Sequence, residues 1–197
     1  MVLKDINAIR SQVLNAIKTL CYEKREFTLV SGKKSNFYID LRKISFDGDY
    51  LYDIGRLLYT ELIKNKNSRP FDVVAGVPIG GLPLVSSVLI SGFLDGSSIK
   101  AVVIRKEKKD YGKKKLIEPS EFLNKGSKIM IIEDVVTTGA SVLSAVNSVR
   151  NEGYAVTDAL CVVDRQEGGG ENLKNSGVNL LCLFTKAEIE EINGLKA

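Results

Sequence analysis

Five short apolar runs govern what this 197-residue chain can become: 72–76 (Asp-Val-Val-Ala-Gly), 101–104 (Ala-Val-Val-Ile), 128–132 (Lys-Ile-Met-Ile-Ile), 155–163 and 178–184. Stretches with helical periodicity separate them, among them an apolar helix from Leu82 to Ile90. Strands that read as continuous apolar runs are covered on both faces, and strands alternating with helices build a parallel sheet. The fold class is therefore α/β. In such sheets a ligand is expected at the carboxyl ends of the strands.

Upstream, Ile6, Ile9, Val13, Leu14 and Ile17 recur at helical spacing, so a helix is expected over Asp5–Lys18 with Asp5 as its cap. Residues 27–42 read as extended segments, and a second amphipathic helix is expected over Asp49–Ile63. The length suits one domain with a full core, spanning 1–197. A net charge of +4 favours anionic substrates slightly and lacks the concentrated basic face of a nucleic-acid binder. The chain has no histidine, which excludes Ser-His-Asp and Cys-His hydrolases and histidine metal sites. Cys21, Cys161 and Cys182 fit no zinc spacing and read as small buried hydrophobes in a reducing cytosol. No apolar stretch reaches the roughly 18 residues of a membrane helix, and residues 1–5 carry no signal-peptide block, so a cytoplasmic location is expected.

The run at 129–132 leads into Glu133-Asp134-Val135-Val136-Thr137-Thr138-Gly139-Ala140-Ser141. This reads as strand, acidic tip, turn and helix. Gly139 permits strained dihedrals, while Thr137, Thr138 and Ser141 add hydroxyls to the N–H groups of a helix start, a good site for a phosphate monoester. Glu133 and Asp134 are placed to accept hydrogen bonds from ribose hydroxyls. No lysine follows the glycine as in a P-loop, and no G-x-G-x-x-G follows an early strand. A Thr or Ser here also serves as an ordinary N-cap in many α/β proteins, and that reading stays open.

Three further segments carry chemistry. Residues 105–115 hold seven cations against two carboxylates; the stretch reads either as solvated surface or as a mobile loop that closes over an anionic site. Gly76-Val77-Pro78-Ile79-Gly80-Gly81 offers backbone N–H groups to a second phosphate cluster, or marks an ordinary turn. Arg165, in Asp164-Arg165-Gln166-Glu167-Gly168, has two open readings: a fork onto substrate, or a salt bridge with Asp164 or Glu167.

The string 131–141 closely resembles the phosphoribosyl pyrophosphate (PRPP) signature of the type I phosphoribosyltransferases. Together with 27–42, the 76–83 loop, the 105–112 loop and 164–168, the chain resembles orotate phosphoribosyltransferases over nearly its whole length. The resemblance implies a central, mostly parallel sheet flanked by helices, with a small hood from about 20–45 and the C-terminal region. It also implies transfer of phosphoribose from PRPP to orotate with Mg²⁺ held by PRPP rather than by protein ligands, and a homodimer whose basic loop reaches the neighbouring site. By the same resemblance Arg105, Lys106, Lys109, Tyr111, Ile79, Gly80 and 133–141 (Glu133, Asp134, Val135, Val136, Thr137, Thr138, Gly139, Ala140, Ser141) bind PRPP. Tyr38, Ile39, Thr137 and Arg165 bind orotate, and Lys109, Glu133 and Asp134 are the catalytic candidates. Tyr111 stands where many members have histidine, and Val30 and Gly80 where some have lysine. A transferase for another base, or a PRPP-sensing regulator, are the alternatives.

Overall fold

The computed structural model describes residues 5–23, 27–28, 34–35, 37–105 and 116–191, with 27–28 and 34–35 described by backbone alone. Lys106, Lys109 and Tyr111 lie outside the described residues, as does Val30. The chain opens with helix α1 (Ile6–Ala16), which continues into a π-helical turn at Ile17–Cys21. Short strands follow: β1 (Tyr22–Glu23), β2 (Phe27–Thr28), β3 (Lys34–Ser35) and β4 (Tyr38–Ile39). Next come α2 (Arg42–Ser45), α3 (Gly48–Asn65), β5 (Val73–Gly76), α4 (Gly81–Leu94) and β6 (Ala101–Ile104). The remainder is β7 (Ile117–Glu118), a 3-10 turn at Ser120–Phe122, β8 (Ile129–Val136), α5 (Ala140–Asn151), β9 (Asp158–Asp164), α6 (Gly169–Asn175), β10 (Asn179–Thr185) and α7 (Lys186–Glu191).

Six strands pair in the order β10-β9-β8-β5-β6-β7, all parallel except the antiparallel edge strand β7. Alternation along each strand divides the apolar residues between two cores. Val74, Met130, Ile132, Leu160 and Val162 meet α1, α3 and α4 on one face. Val73, Ala75, Ile129, Ile131, Ala159 and Cys161 meet Val142, Val146 and Val149 of α5 and Leu173 of α6 on the other. Burial pushes the Cys21 thiol up to about 12 and the Cys182 thiol up to about 11, so the thiols act as small apolar groups. All three cysteines are free.

Several expected boundaries move. The strand expected over 128–132 runs on to Val136, so Glu133 and Asp134 lie within β8 rather than at a tip beyond it. Residues 155–157 precede β9 and contribute only an isolated bridge, Ala155 with Lys128. Arg42, expected in an extended segment, begins α2. Asp5 sits at the N-cap of α1, but its side chain makes no capping bond. Asp47 caps α3 instead, its carboxylate accepting the Asp49 N–H at 2.9 Å. Among the described residues, no helix is long and apolar enough to cross a membrane.

At the chain's end, Thr185 and Glu188 form a capping box for α7: the Thr185 N–H donates to Glu188 Oε2 at 2.8 Å, and the Glu188 N–H to Thr185 Oγ1 at 3.3 Å. Arg10 of α1 reaches the same carboxylate. Burial raises the Glu188 carboxyl, but the Arg10 guanidinium and the Thr185 donors outweigh it, and the net shift is downward. The tie is therefore strongest above the ordinary carboxylate range and weakens as the pH falls through it.

Candidate active site

The strand order reverses between β5 and β8, because the chain passes from β5 to β6 on one side and returns to β8 on the other. Such a switch point opens a crevice at the carboxyl ends of the strands. The last paired residues of β5 and β8 are Gly76 and Ile132. Beyond them the backbone from β5 turns away through Pro78, Ile79 and Gly80 into α4, while β8 continues along β9 to Val136. A cavity of about 410 Å³ occupies this fork. Its walls are Pro78, Ile79 and Gly80 from the first loop, Glu133, Asp134 and Val135 from β8, Ser141 from α5, and Tyr38 to Arg42.

The two carboxylates are held by their own strand. Glu133 Oε1 accepts the Asp134 N–H at 3.1 Å, and Asp134 Oδ1 accepts the Val135 N–H at 2.8 Å. Glu133 is buried and Asp134 half-buried, so the latter presents the more accessible oxygens. Gly80 explains how the loop comes so close: a Cβ there would stand 2.1 Å from Asp134 Oδ2. A side chain at position 80 would displace that carboxylate. The Pro78–Ile79 peptide is cis, and Ile79 is one of the most exposed large apolar residues described.

The 137–141 turn makes no side-chain N-cap bond to α5, which removes the ordinary capping reading for its Thr and Ser. Gly139 occupies the N-cap of α5 at φ +81°, and it has no side chain with which to cap. The first turn of α5 therefore has no side-chain cap. The turn is fixed from behind. Asn172 donates to the Thr138 carbonyl at 3.0 Å. A Cβ on Gly169 would lie 2.6 Å from both the Thr137 carbonyl and Val136 Cγ1. Gly169→Ala thus forces the turn to move, and such overpacking costs about 1–3 kcal/mol. The expected outcome is a Tm lower by roughly 5 °C, checked by thermal melting.

Not every implied residue reaches this cavity. Tyr38, Ile39, Ile79, Gly80, Glu133, Asp134, Val135 and Ser141 line it. Val136 does not: its side chain is 1% exposed and packs in the second core, leaving only its backbone, whose carbonyl accepts the Arg165 N–H at 2.9 Å. A ligand role for the Val136 side chain is therefore excluded by packing. Thr137, Thr138 and Gly139 are not among its walls, and Ala140 and Arg105 line an adjoining cavity of about 430 Å³ that shares Pro78 and Ser141. Arg105 pairs with Glu118 at 2.8 Å, and its N–H donates to the Leu116 carbonyl at 2.8 Å. Arg105 and Leu116, the described residues on either side of 106–115, are thereby bonded to each other.

Arg165 is 4% exposed and pairs with Glu167 at 2.7 Å, not with Asp164, whose carboxylate takes the Gln166 N–H. Its guanidinium lies 4.3 Å from the Phe37 ring centroid and donates to the Phe37 carbonyl at 3.4 Å. Phe37 also stacks on Tyr22 at 5.9 Å. Arg165 thus stands behind the residue that precedes Tyr38. Asp40 and Arg42, which no motif reading singled out, line the cavity as a bidentate pair with both bonds at 2.8 Å. The Arg42 side chain holds the Asp40 carboxyl below its ordinary value despite partial burial. The sequence signal was slight: two opposite charges two residues apart, brought together by the start of α2.

A profile of the phosphoribosyl transferase domain matches residues 48–182. The orotate phosphoribosyltransferase of Aquifex aeolicus is 42% identical over 165 residues, which cover 83% of this chain and 86% of that one. The chain belongs to the orotate phosphoribosyltransferase family. Crystal structures agree with the assignment: the Mycobacterium tuberculosis orotate phosphoribosyltransferase in complex with Fe(III) dicitrate superposes with a TM-score of 0.75 at 29% identity, covering 92% of this chain and 98% of that one. The same enzyme in complex with PRPP gives a TM-score of 0.71 at 26% identity, covering 92% and 99%. The type I phosphoribosyltransferase fold expected from the sequence is thus present, with its mostly parallel six-stranded sheet flanked by helices.

Proposed function

We infer that this member of the orotate phosphoribosyltransferase family transfers phosphoribose from PRPP to N1 of orotate, forming orotidine 5′-monophosphate and pyrophosphate in pyrimidine biosynthesis. The observation that carries the reading is the single cavity joining the β8 carboxylates and the 78–80 loop to Tyr38, with Arg165 behind it. The 137–141 turn holds the 5′-phosphate, Asp134 and Glu133 accept the ribose hydroxyls, and Tyr38, Ile39, Thr137 and Arg165 receive the acceptor. The chain is read as one domain with a small hood drawn mainly from about 20–45 and the C-terminal region, and contacts among the described residues, Lys186 to Phe37 and Tyr22 to Glu190, support that grouping.

Orotate is already an anionic nucleophile, so the protein needs no strong base. What limits the reaction is charge growing on the departing pyrophosphate, and cations preorganised around it lower that barrier. Arg105, Lys106 and Lys109 take this task, with Tyr111 supplying one neutral donor. Mg²⁺ would be held mainly by PRPP oxygens rather than by protein ligands, since the ion favours oxygen donors and keeps several waters, while Glu133 and Asp134 accept the ribose hydroxyls. Bound there, the ion neutralises charge on the leaving group. The enzyme works as a cytoplasmic homodimer in which the basic loop of each copy serves the neighbouring site.

The test is direct. Purified protein with orotate, PRPP and Mg²⁺ forms orotidine 5′-monophosphate, excess chelator abolishes the reaction, and added Mg²⁺ restores it. Absence of product with Mg²⁺ present contradicts the transfer, and undiminished turnover in chelator contradicts the metal requirement.

A further inference from the structure

Lys186 occupies a position that no motif pointed to, and two separate constraints hold it there. It is the first residue of α7, whose direction is set by the capping box between Thr185 and Glu188. The second constraint comes from the arginine turn, where Ala187 donates its N–H to Gln166 Oε1 at 3.0 Å. Gln166 has φ +56°, a conformation that a side-chain-bearing residue keeps only when its surroundings enforce it. The turn that aims Arg165 inward therefore also anchors the helix carrying Lys186. Both cations end on one ring: Arg165 Cζ lies 4.3 Å and Lys186 Nζ 4.2 Å from the centroid of Phe37. The next residue, Tyr38, lines the cavity.

Charge decides what such a cluster accepts. Arg165 is paired with Glu167 at 2.7 Å, so its positive charge is largely offset before any ligand arrives. Lys186 has a much looser carboxylate contact, 3.9 Å to Glu190, and Glu190 also accepts a hydrogen bond from Tyr22 at 3.3 Å. With 30% of its side chain exposed and a flexible stem, Lys186 is the cation here best able to turn toward an incoming anion. A neutral pyrimidine gains little from that charge. An acceptor bearing a carboxylate gains a charge-assisted hydrogen bond.

We propose that Lys186 is a specificity residue of the acceptor subsite, leaving the Phe37 ring to pair with the acceptor carboxylate beside Arg165. The proposal rests on the reading of the acceptor as orotate. It is tested with Lys186→Ala and Lys186→Arg in the full-length protein, measuring KM for orotate and for PRPP separately together with Tm. Lys186→Ala raises KM for orotate about tenfold, the loss of one charge-assisted contact at a partly solvated position, while KM for PRPP stays at the wild-type value. Lys186→Arg recovers most of the loss. An unchanged KM for orotate, or a parallel rise of both KM values with a falling Tm, makes Lys186 a packing residue and overturns the proposal. Wild-type protein assayed alongside separates this failure from failure of the transferase reading, which shows as no turnover of orotate in the wild type itself.

Discussion

Arg165→Ala lowers kcat/KM for orotate about a thousandfold, the loss expected when a bidentate, charge-assisted contact is removed from a desolvated site. The geometry explains why this substitution weighs more than an ordinary surface arginine. The guanidinium is 4% exposed, lies on the Phe37 ring, donates to the Phe37 carbonyl and pairs with Glu167. Under the proposed function its removal takes a planar donor from the acceptor, and it also removes the contacts that hold Phe37 beside Tyr38. Glu167 keeps 24% of its side chain exposed, so after the substitution its carboxylate is rehydrated and the fold persists. Arg165→Lys does not rescue, because an ammonium cannot reproduce two parallel N–H donors. Initial rates with orotate varied at saturating PRPP, and with PRPP varied at saturating orotate, check this, and a loss confined to KM for PRPP contradicts it.

The second large effect belongs to Lys109. Lys109→Ala lowers kcat by about two to three orders of magnitude, the range seen when one preorganised donor to a developing anion is removed. The segment that carries it departs from Arg105 and returns at Leu116, and those two residues are joined by a backbone hydrogen bond of 2.8 Å. Arg105 itself lines the cavity that shares Pro78 and Ser141 with the main crevice. Stabilisation of departing pyrophosphate acts on the transition state, so kcat falls while Tm stays at the wild-type value. Single-turnover rates and a thermal melt check the prediction; unchanged turnover contradicts the role.

Legibility in the sequence followed the physics of each element. Val73–Gly76, Ala101–Ile104 and the core of β8 were plain because strands covered on both faces need unbroken apolar runs. The end of β8 was misplaced because Glu133 and Asp134 look like a polar boundary. In fact β9 pairs with Glu133, Val135 and Val136, and the Glu133 and Asp134 carboxylates bond to the N–H groups of their own strand. β7 has two residues, too few for any periodicity, and exists only because β6 offers an edge. Glu133, Asp134, Val135 and Ser141, which line the cavity, stood out in the sequence because they lie within one contiguous string. Lys186 was not, because its contact with Phe37 depends on α7 folding back over the start of the chain.

The central claim is that the acceptor half of this site, built by Tyr38, Phe37 and Arg165, selects orotate. The most direct measurement offers wild-type protein PRPP and Mg²⁺ with orotate, uracil, adenine and hypoxanthine in parallel, and quantifies nucleotide and pyrophosphate. The predicted result is stoichiometric orotidine 5′-monophosphate and pyrophosphate with orotate and no nucleotide with the other bases. Formation of a uracil or purine nucleotide at a comparable rate, or no transfer to orotate, contradicts it.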